Sequence, residues 1–165
     1  TLQCMTDFYS SLITPNATGC TFVFNKALLK LLQTSQPEYI AMHDGWVHKV
    51  CTACNGNVFF DEDVPILYRQ HGSNVIGVST SNSKIFFRRL KSGFYRDCVR
   101  SRTNKSLLDC YSNYIDKEKL YYLDLSANYK ESFAKKIKLL FCPKIRTNYF
   151  KRNLLFKLAV LFRAF

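Results

Sequence analysis

Charge is segregated along this chain. Residues 1–80 carry a net −2, residues 81–129 carry +5 and residues 130–165 carry +9, so the formal +12 is a C-terminal property. A segment with that much like charge must keep its cations at a surface, and charge alone leaves open nucleic acid, an anionic membrane or an acidic substrate. The apolar companions of the cations decide. Over 147–165, Phe150, Leu154, Leu158 and Leu161 fall on one helical stripe, while Lys151, Arg152, Lys157 and Arg163 supply the charge. That is the pattern of a helix lying in a membrane interface.

The 165 residues are 47% hydrophobic and 15% aromatic, enough for one ordinary domain with a buried core and too apolar for intrinsic disorder. No uncharged apolar run approaches the roughly 18 residues that a spanning helix needs, and the first residues lack a signal-peptide pattern. The chain is therefore expected neither to span a membrane nor to be exported. Seven cysteines, an odd number at irregular spacings, fit reduced thiols and a cytoplasmic setting better than a disulfide framework. Thr1 opens a polar and aromatic stretch with no obvious first element, which suggests an upstream portion.

Along the chain, 21–24 reads as a short strand and 26–32 as a helix from its leucine spacing. A second helix is predicted over 43–54, after Pro37 and before the Asn55-Gly56-Asn57 turn signal; 58–60 and 65–70 read as strands. From 83 to about 114, and again over 117–138, apolar and basic residues recur at helical spacing, which predicts helices outside a compact α/β part.

Several residues have types and positions suited to chemistry. Asp44, between His43 and Gly45-Trp46, places a carboxylate at or near a helix N-terminus beside an indole able to stack on a sugar; it reads as a general base or simply as a helix cap. His71, in Tyr68-Arg69-Gln70-His71-Gly72-Ser73-Asn74, sits where a strand runs into a polar turn. It suits a divalent metal or a phosphate, or an ordinary surface role. Asp61-Glu62-Asp63 offers the oxygen donors that magnesium or manganese prefer, but its place before an apolar strand fits a solvated turn, and it is left outside the site. His48, Cys51 and Cys54 share a helical face, raising zinc or redox chemistry; without a second Cys-x-x-Cys pair or a thioredoxin-like pattern they read as buried, inert groups. The sequons at Asn16 and Asn104 carry no weight without a secretory signal.

Taken in order, Thr18-Gly19-Cys20-Thr21-Phe22-Val23-Phe24-Asn25-Lys26, His43-Asp44-Gly45-Trp46 and Ile66-Leu67-Tyr68-Arg69-Gln70-His71-Gly72-Ser73-Asn74 resemble family 2 GT-A glycosyltransferases, in particular bacterial rhamnosyltransferase-like members. The likeness covers about 15–78, under half of the chain. It implies an α/β fold class: the C-terminal, acceptor-side part of a GT-A fold over 1–80, followed by a basic, helical, membrane-associated extension over 81–165. It implies that Asp44 is the catalytic base, taking the proton from an acceptor hydroxyl as that oxygen attacks the anomeric carbon, with inversion. Gly19 and Cys20 would line the donor sugar, Trp46 would face the acceptor, and His71 would help bind a divalent metal, magnesium or manganese, on the donor diphosphate, with Arg69 as a further contact. The implied partners are a nucleotide-sugar donor, a saccharide or lipid-linked saccharide acceptor and the anionic inner face of the cell membrane.

Two departures accompany the resemblance. The Gln-x-x-Arg-Trp motif of processive relatives is absent, which argues against a polymerising synthase. The nucleotide-binding half, with its metal-holding acidic motif, is also absent, which implies an incomplete and inactive chain on its own. The rival readings are a non-catalytic basic module binding nucleic acid through the Lys, Arg and aromatic residues of 84–165, which no recognised motif favours, and an inactive gene remnant.

Overall fold

The computed structural model describes residues 5–14, 19–61, 63 and 98–165. Among the described residues seven α-helices run in order: α1 (Phe8–Ile13), α2 (Lys26–Leu32), α3 (His43–Ala53), α4 (Val99–Tyr111), α5 (Lys117–Ala127), α6 (Phe133–Leu140) and α7 (Phe150–Leu161), with short 3-10 turns at Gly19–Thr21 and Ser112–Tyr114. Side-chain caps explain four of the starts. The carboxylate or amide oxygens of Asp7, Asn25 and Asp116 accept from the backbone N–H of Ser10, Leu28 and Lys119, and the Ser132 hydroxyl accepts from that of Lys135.

The α/β expectation is overturned: the described residues contain helices and no strand. At 21–24 the end of a 3-10 turn leads into irregular backbone, with Val23 99% exposed, and at 58–60 the backbone is irregular, with Phe59 91% exposed. Strand-forming residues need a neighbouring ladder and a face to cover, and here neither segment has one. The strand expected at 65–70, like most of 83–98, lies outside the described residues. The helix expected over 117–138 is two helices: α5 stops at Asn128, and the Ser132 cap starts α6 afresh. The expectations at 26–32 and 43–54 correspond to α2 and, to within a residue, α3.

One core draws on both sides of residue 80. Phe8 and Leu12 of α1, and Trp46, Val50 and Ala53 of α3, join Leu107 and Tyr111 of α4, Leu123 of α5, Leu139 of α6, and Phe156 and Val160 of α7. Phe165 is fully buried, its ring 4.9 Å from that of Phe156 and 5.9 Å from that of Tyr129.

A polar junction lies inside this core. Lys49 Nζ donates to Asn104 Oδ1 at 2.6 Å and to the Leu12 carbonyl at 3.4 Å, while Asn104 Nδ2 donates to Ser126 Oγ at 3.0 Å and to the same carbonyl at 3.4 Å. Arg100 Nε donates to the Ile13 carbonyl at 2.8 Å. The last carbonyls of α1, which a helix leaves without internal partners, are thus satisfied by side chains of α3 and α4. At the other end of α3, Lys119 of α5 donates to the Thr52 carbonyl at 2.8 Å and to Asn55 Oδ1 at 2.6 Å. Asn55 adopts a left-handed φ of 62°, and the Gly56 N–H closes on the Cys51 carbonyl at 2.8 Å.

Burial pulls Lys49 down to about 7, with the charge of Arg100 adding to the effect. The unfolded chain therefore holds a proton that the folded chain releases between about pH 7 and the ordinary lysine value of about 10.4, so stability rises with pH across that interval. From pH 7 to pH 8.5 Lys49 by itself is expected to add about 1–2 kcal/mol to the unfolding free energy, a gain that the raised Cys51 and Cys54 thiols partly oppose. Urea unfolding at the two pH values checks this: Lys49→Met is expected to flatten the rise, and an equal rise in the variant would assign it to other groups.

Candidate functional site

The N-terminus of α3 reaches the surface with Met42 in the cap position, making no side-chain bond to the helix. Asp44 lies inside the first turn, half-buried. Its Oδ1 accepts from the Gly45 N–H at 2.6 Å, and its Oδ2 accepts from the Gly19 N–H at 3.2 Å. The capping role is therefore partial: one of its two bonds goes to its own helix and the other to a turn 25 residues earlier.

Gly19 begins the 3-10 turn that packs on this end. A Cβ there would stand 2.7 Å from His43 Nε2, so the imidazole edge occupies the space that any other residue would need. Gly19, His43 and Asp44 thus form one cluster, with Cys20 exposed beside it. Two N–H bonds leave the Asp44 carboxylate with further lone pairs, since each oxygen can accept twice. A half-buried carboxylate with spare acceptor capacity, held by backbone, is suited to receive a hydroxyl proton from a ligand on the solvent side.

Other expected members fall elsewhere. Trp46, expected to face an acceptor, is turned into the core, its ring 6.0 Å from that of Tyr111. The spacing Trp46, Val50, Ala53 is the inward stripe of α3, so the indole is core and not a sugar platform. Arg69 and His71 lie outside the described residues, and with them the expected metal and diphosphate contacts. Among the described residues no group of three or more His, Cys, Asp or Glu could hold a metal ion. Asp61 and Asp63 are exposed and joined by an Asp63 N–H to Asp61 Oδ1 bond of 3.0 Å.

The remaining face of α3 is inert. Burial first, and the charge of Lys49 second, pull His48 down to about 4, so the imidazole is neutral near pH 7. Burial pushes Cys54 up to about 11 and raises Cys51 as well, which keeps both as thiols and not as the thiolates that metal binding or redox exchange require. The described cysteines are all free. Among the described residues no helix is long and apolar enough to cross a membrane.

In the sequence Gly19 and Asp44 belong to separate motifs, and nothing in local pattern signals a contact across 25 residues. Neither a protein family, nor a curated protein, nor a solved structure matches this chain.

The cluster makes a specific expectation for Gly19→Ala. The clash is with the far end of an exposed side chain, so the cost to stability is expected to stay below about 1 kcal/mol while the His43 ring is displaced. Side-chain NMR of His43 checks this: a changed ring environment with a nearly unchanged melting temperature is the expected result, and an unmoved His43 resonance would remove the imidazole from the cluster.

Proposed function

We propose that this chain carries the catalytic base of a family 2 glycosyltransferase, which moves a sugar, rhamnose being the family's suggestion, from a nucleotide-diphospho-sugar to a saccharide acceptor with inversion. The observation that carries the reading is the bond from Gly19 N–H to Asp44: two of the three motifs behind the family resemblance meet at one surface point.

In this reading the acceptor hydroxyl donates to Asp44. As its proton passes to the carboxylate, the oxygen forms the new bond to the anomeric carbon, and the bond from that carbon to the diphosphate oxygen breaks on the opposite face, its electron pair leaving with the nucleoside diphosphate. Gly19 acts by positioning, because its N–H holds Oδ2 and leaves the other lone pairs for the acceptor. Cys20, exposed next to it, is left to line the donor sugar. A divalent cation, magnesium or manganese, would neutralise charge on the leaving diphosphate; the resemblance gives its binding to His71, with Arg69 as a second contact. Trp46 has no part, because its ring is in the core.

The acceptor in this reading is a lipid-linked saccharide, which calls for a peripheral position at the cytoplasmic face of an anionic membrane. The outward-facing Phe150, Leu154 and Leu161 of α7 support that location.

Turnover by the full-length protein on a panel of nucleotide-diphospho-sugars, with saccharide acceptors, tests the proposal. Asp44→Asn keeps the shape of the side chain and one acceptor oxygen, leaves one of the two backbone N–H groups facing an amide NH2, and cannot take up the proton. It is expected to lower kcat by about 10²–10⁴ while costing the fold no more than about 1 kcal/mol, the worth of one hydrogen bond. Transfer by the variant at the unaltered rate, or a product that retains the donor's anomeric configuration, would overturn Asp44 as the base.

A further inference from the structure

Helix α6 has its apolar residues on the wrong side for an ordinary surface helix. Its one fully buried side chain is Leu139, and Lys135, toward the core flank, is ion-paired with Asp124 and with Glu131 at 3.0 Å each. Facing solvent at four-residue intervals are Phe133, 77% exposed, Ile137, and Phe141, 75% exposed. Helix α7 packs on α6 and repeats the arrangement: Phe156 and Val160 are buried, while Phe150, 81% exposed, Leu154 and Leu161 turn outward. A surface helix usually buries its single apolar stripe and shows a polar one; each of these helices has a second apolar stripe in water.

The surroundings of those stripes are cationic. Over 130–165 the only acid is Glu131, and it is already engaged by Lys135. Lys138, Lys151 and Lys157 are exposed and have no ion-pair partner among the described residues. We propose that the outward faces of α6 and α7 form a docking surface for an anionic lipid bilayer, with Phe133, Phe141 and Phe150 entering the boundary between headgroups and acyl chains and the lysines meeting the headgroups. The inference extends the membrane location proposed above to α6, whose stripe had no assigned role, and it does not need the transferase reading to hold.

Two features favour a bilayer over the other occupants. Ile137, Leu154 and Leu161 are aliphatic and have nothing to stack on a base, whereas an acyl boundary takes aliphatic and aromatic side chains alike. Lys138, Lys151 and Lys157 are spread among the apolar residues and lack fixed acidic partners among the described residues, which suits a fluid field of anionic headgroups; a protein partner would be expected to keep charge at a rim around an apolar centre.

Co-sedimentation with phosphatidylcholine vesicles, with and without phosphatidylglycerol, tests this. The expected result is binding only to the vesicles containing phosphatidylglycerol, reduced by salt, and weakened about tenfold or more in Phe133→Ser/Phe141→Ser. Both residues are exposed, so the double variant is expected to keep its fold, which circular dichroism confirms independently. In a second variant, Phe141→Trp, the new indole's emission is expected to shift blue on binding and to be quenched by brominated lipid. Equal binding by the double variant, equal binding to neutral vesicles, or a soluble dimer that ignores vesicles would overturn the proposal; the last would make a second copy of the chain the occupant. None of these readouts uses sugar transfer, so a failure here is distinct from a failure of Asp44.

Discussion

The buried amino group of Lys49 is the constraint around which the helices are arranged. A lysine taken out of water must find acceptors, and it finds the Asn104 amide on α4 and the end of α1. Asn104 then carries the connection to Ser126 on α5. Helix α1 has 6 residues, too few to persist alone, and it holds its place because neighbours satisfy its last carbonyls and because Phe8 and Leu12 are buried in the shared core. Apolar contact alone would tolerate sliding of α3 along α4. The directional bonds of Lys49 and Asn104 set the axial position.

That position has consequences at both ends of α3. Lys119 and the left-handed Asn55 close the C-terminal end. The N-terminal end is carried to the surface, where His43 and Asp44 project and the Gly19 turn packs on them. The helix face that buries Trp46 is the same face that places Lys49 near the junction, so the indole cannot serve a ligand while the core remains closed. A carboxylate fixed by two backbone N–H groups on a helix anchored this way is held by rigid structure, which is what proton transfer to a defined atom requires.

Leucine spacing made α2 legible, and the Asn55-Gly56 turn with the apolar spacing before it made α3 legible. Both signals act within a few residues, where local geometry decides. The segments 21–24 and 58–60 read as strands in sequence because β-branched and aromatic residues describe a surface that fits a sheet, but only a partner strand makes the sheet. The α/β class came from the family resemblance, and the helical core of the described residues overrides it for this chain. The break between α5 and α6 was hidden by continuous helical spacing across Ser132, whose hydroxyl competes for the backbone there. Lys49 reads as an ordinary polar residue on a helix; its burial depends on α1 and α4 and has no local sign.

The central claim is that Gly19, His43 and Asp44 form a surface point that receives a saccharide hydroxyl. Amide NMR of the labelled chain, titrated with a panel of simple methyl glycosides including rhamnosides, addresses it most directly. The Gly19 and Gly45 amides, which donate to the two oxygens of Asp44, are the reporters. The account predicts that both resonances move together on saccharide addition while amides around Lys49 stay fixed. Gly19 and Gly45 resonances that stay fixed with every glycoside, or shifts confined to residues remote from α3, would contradict it.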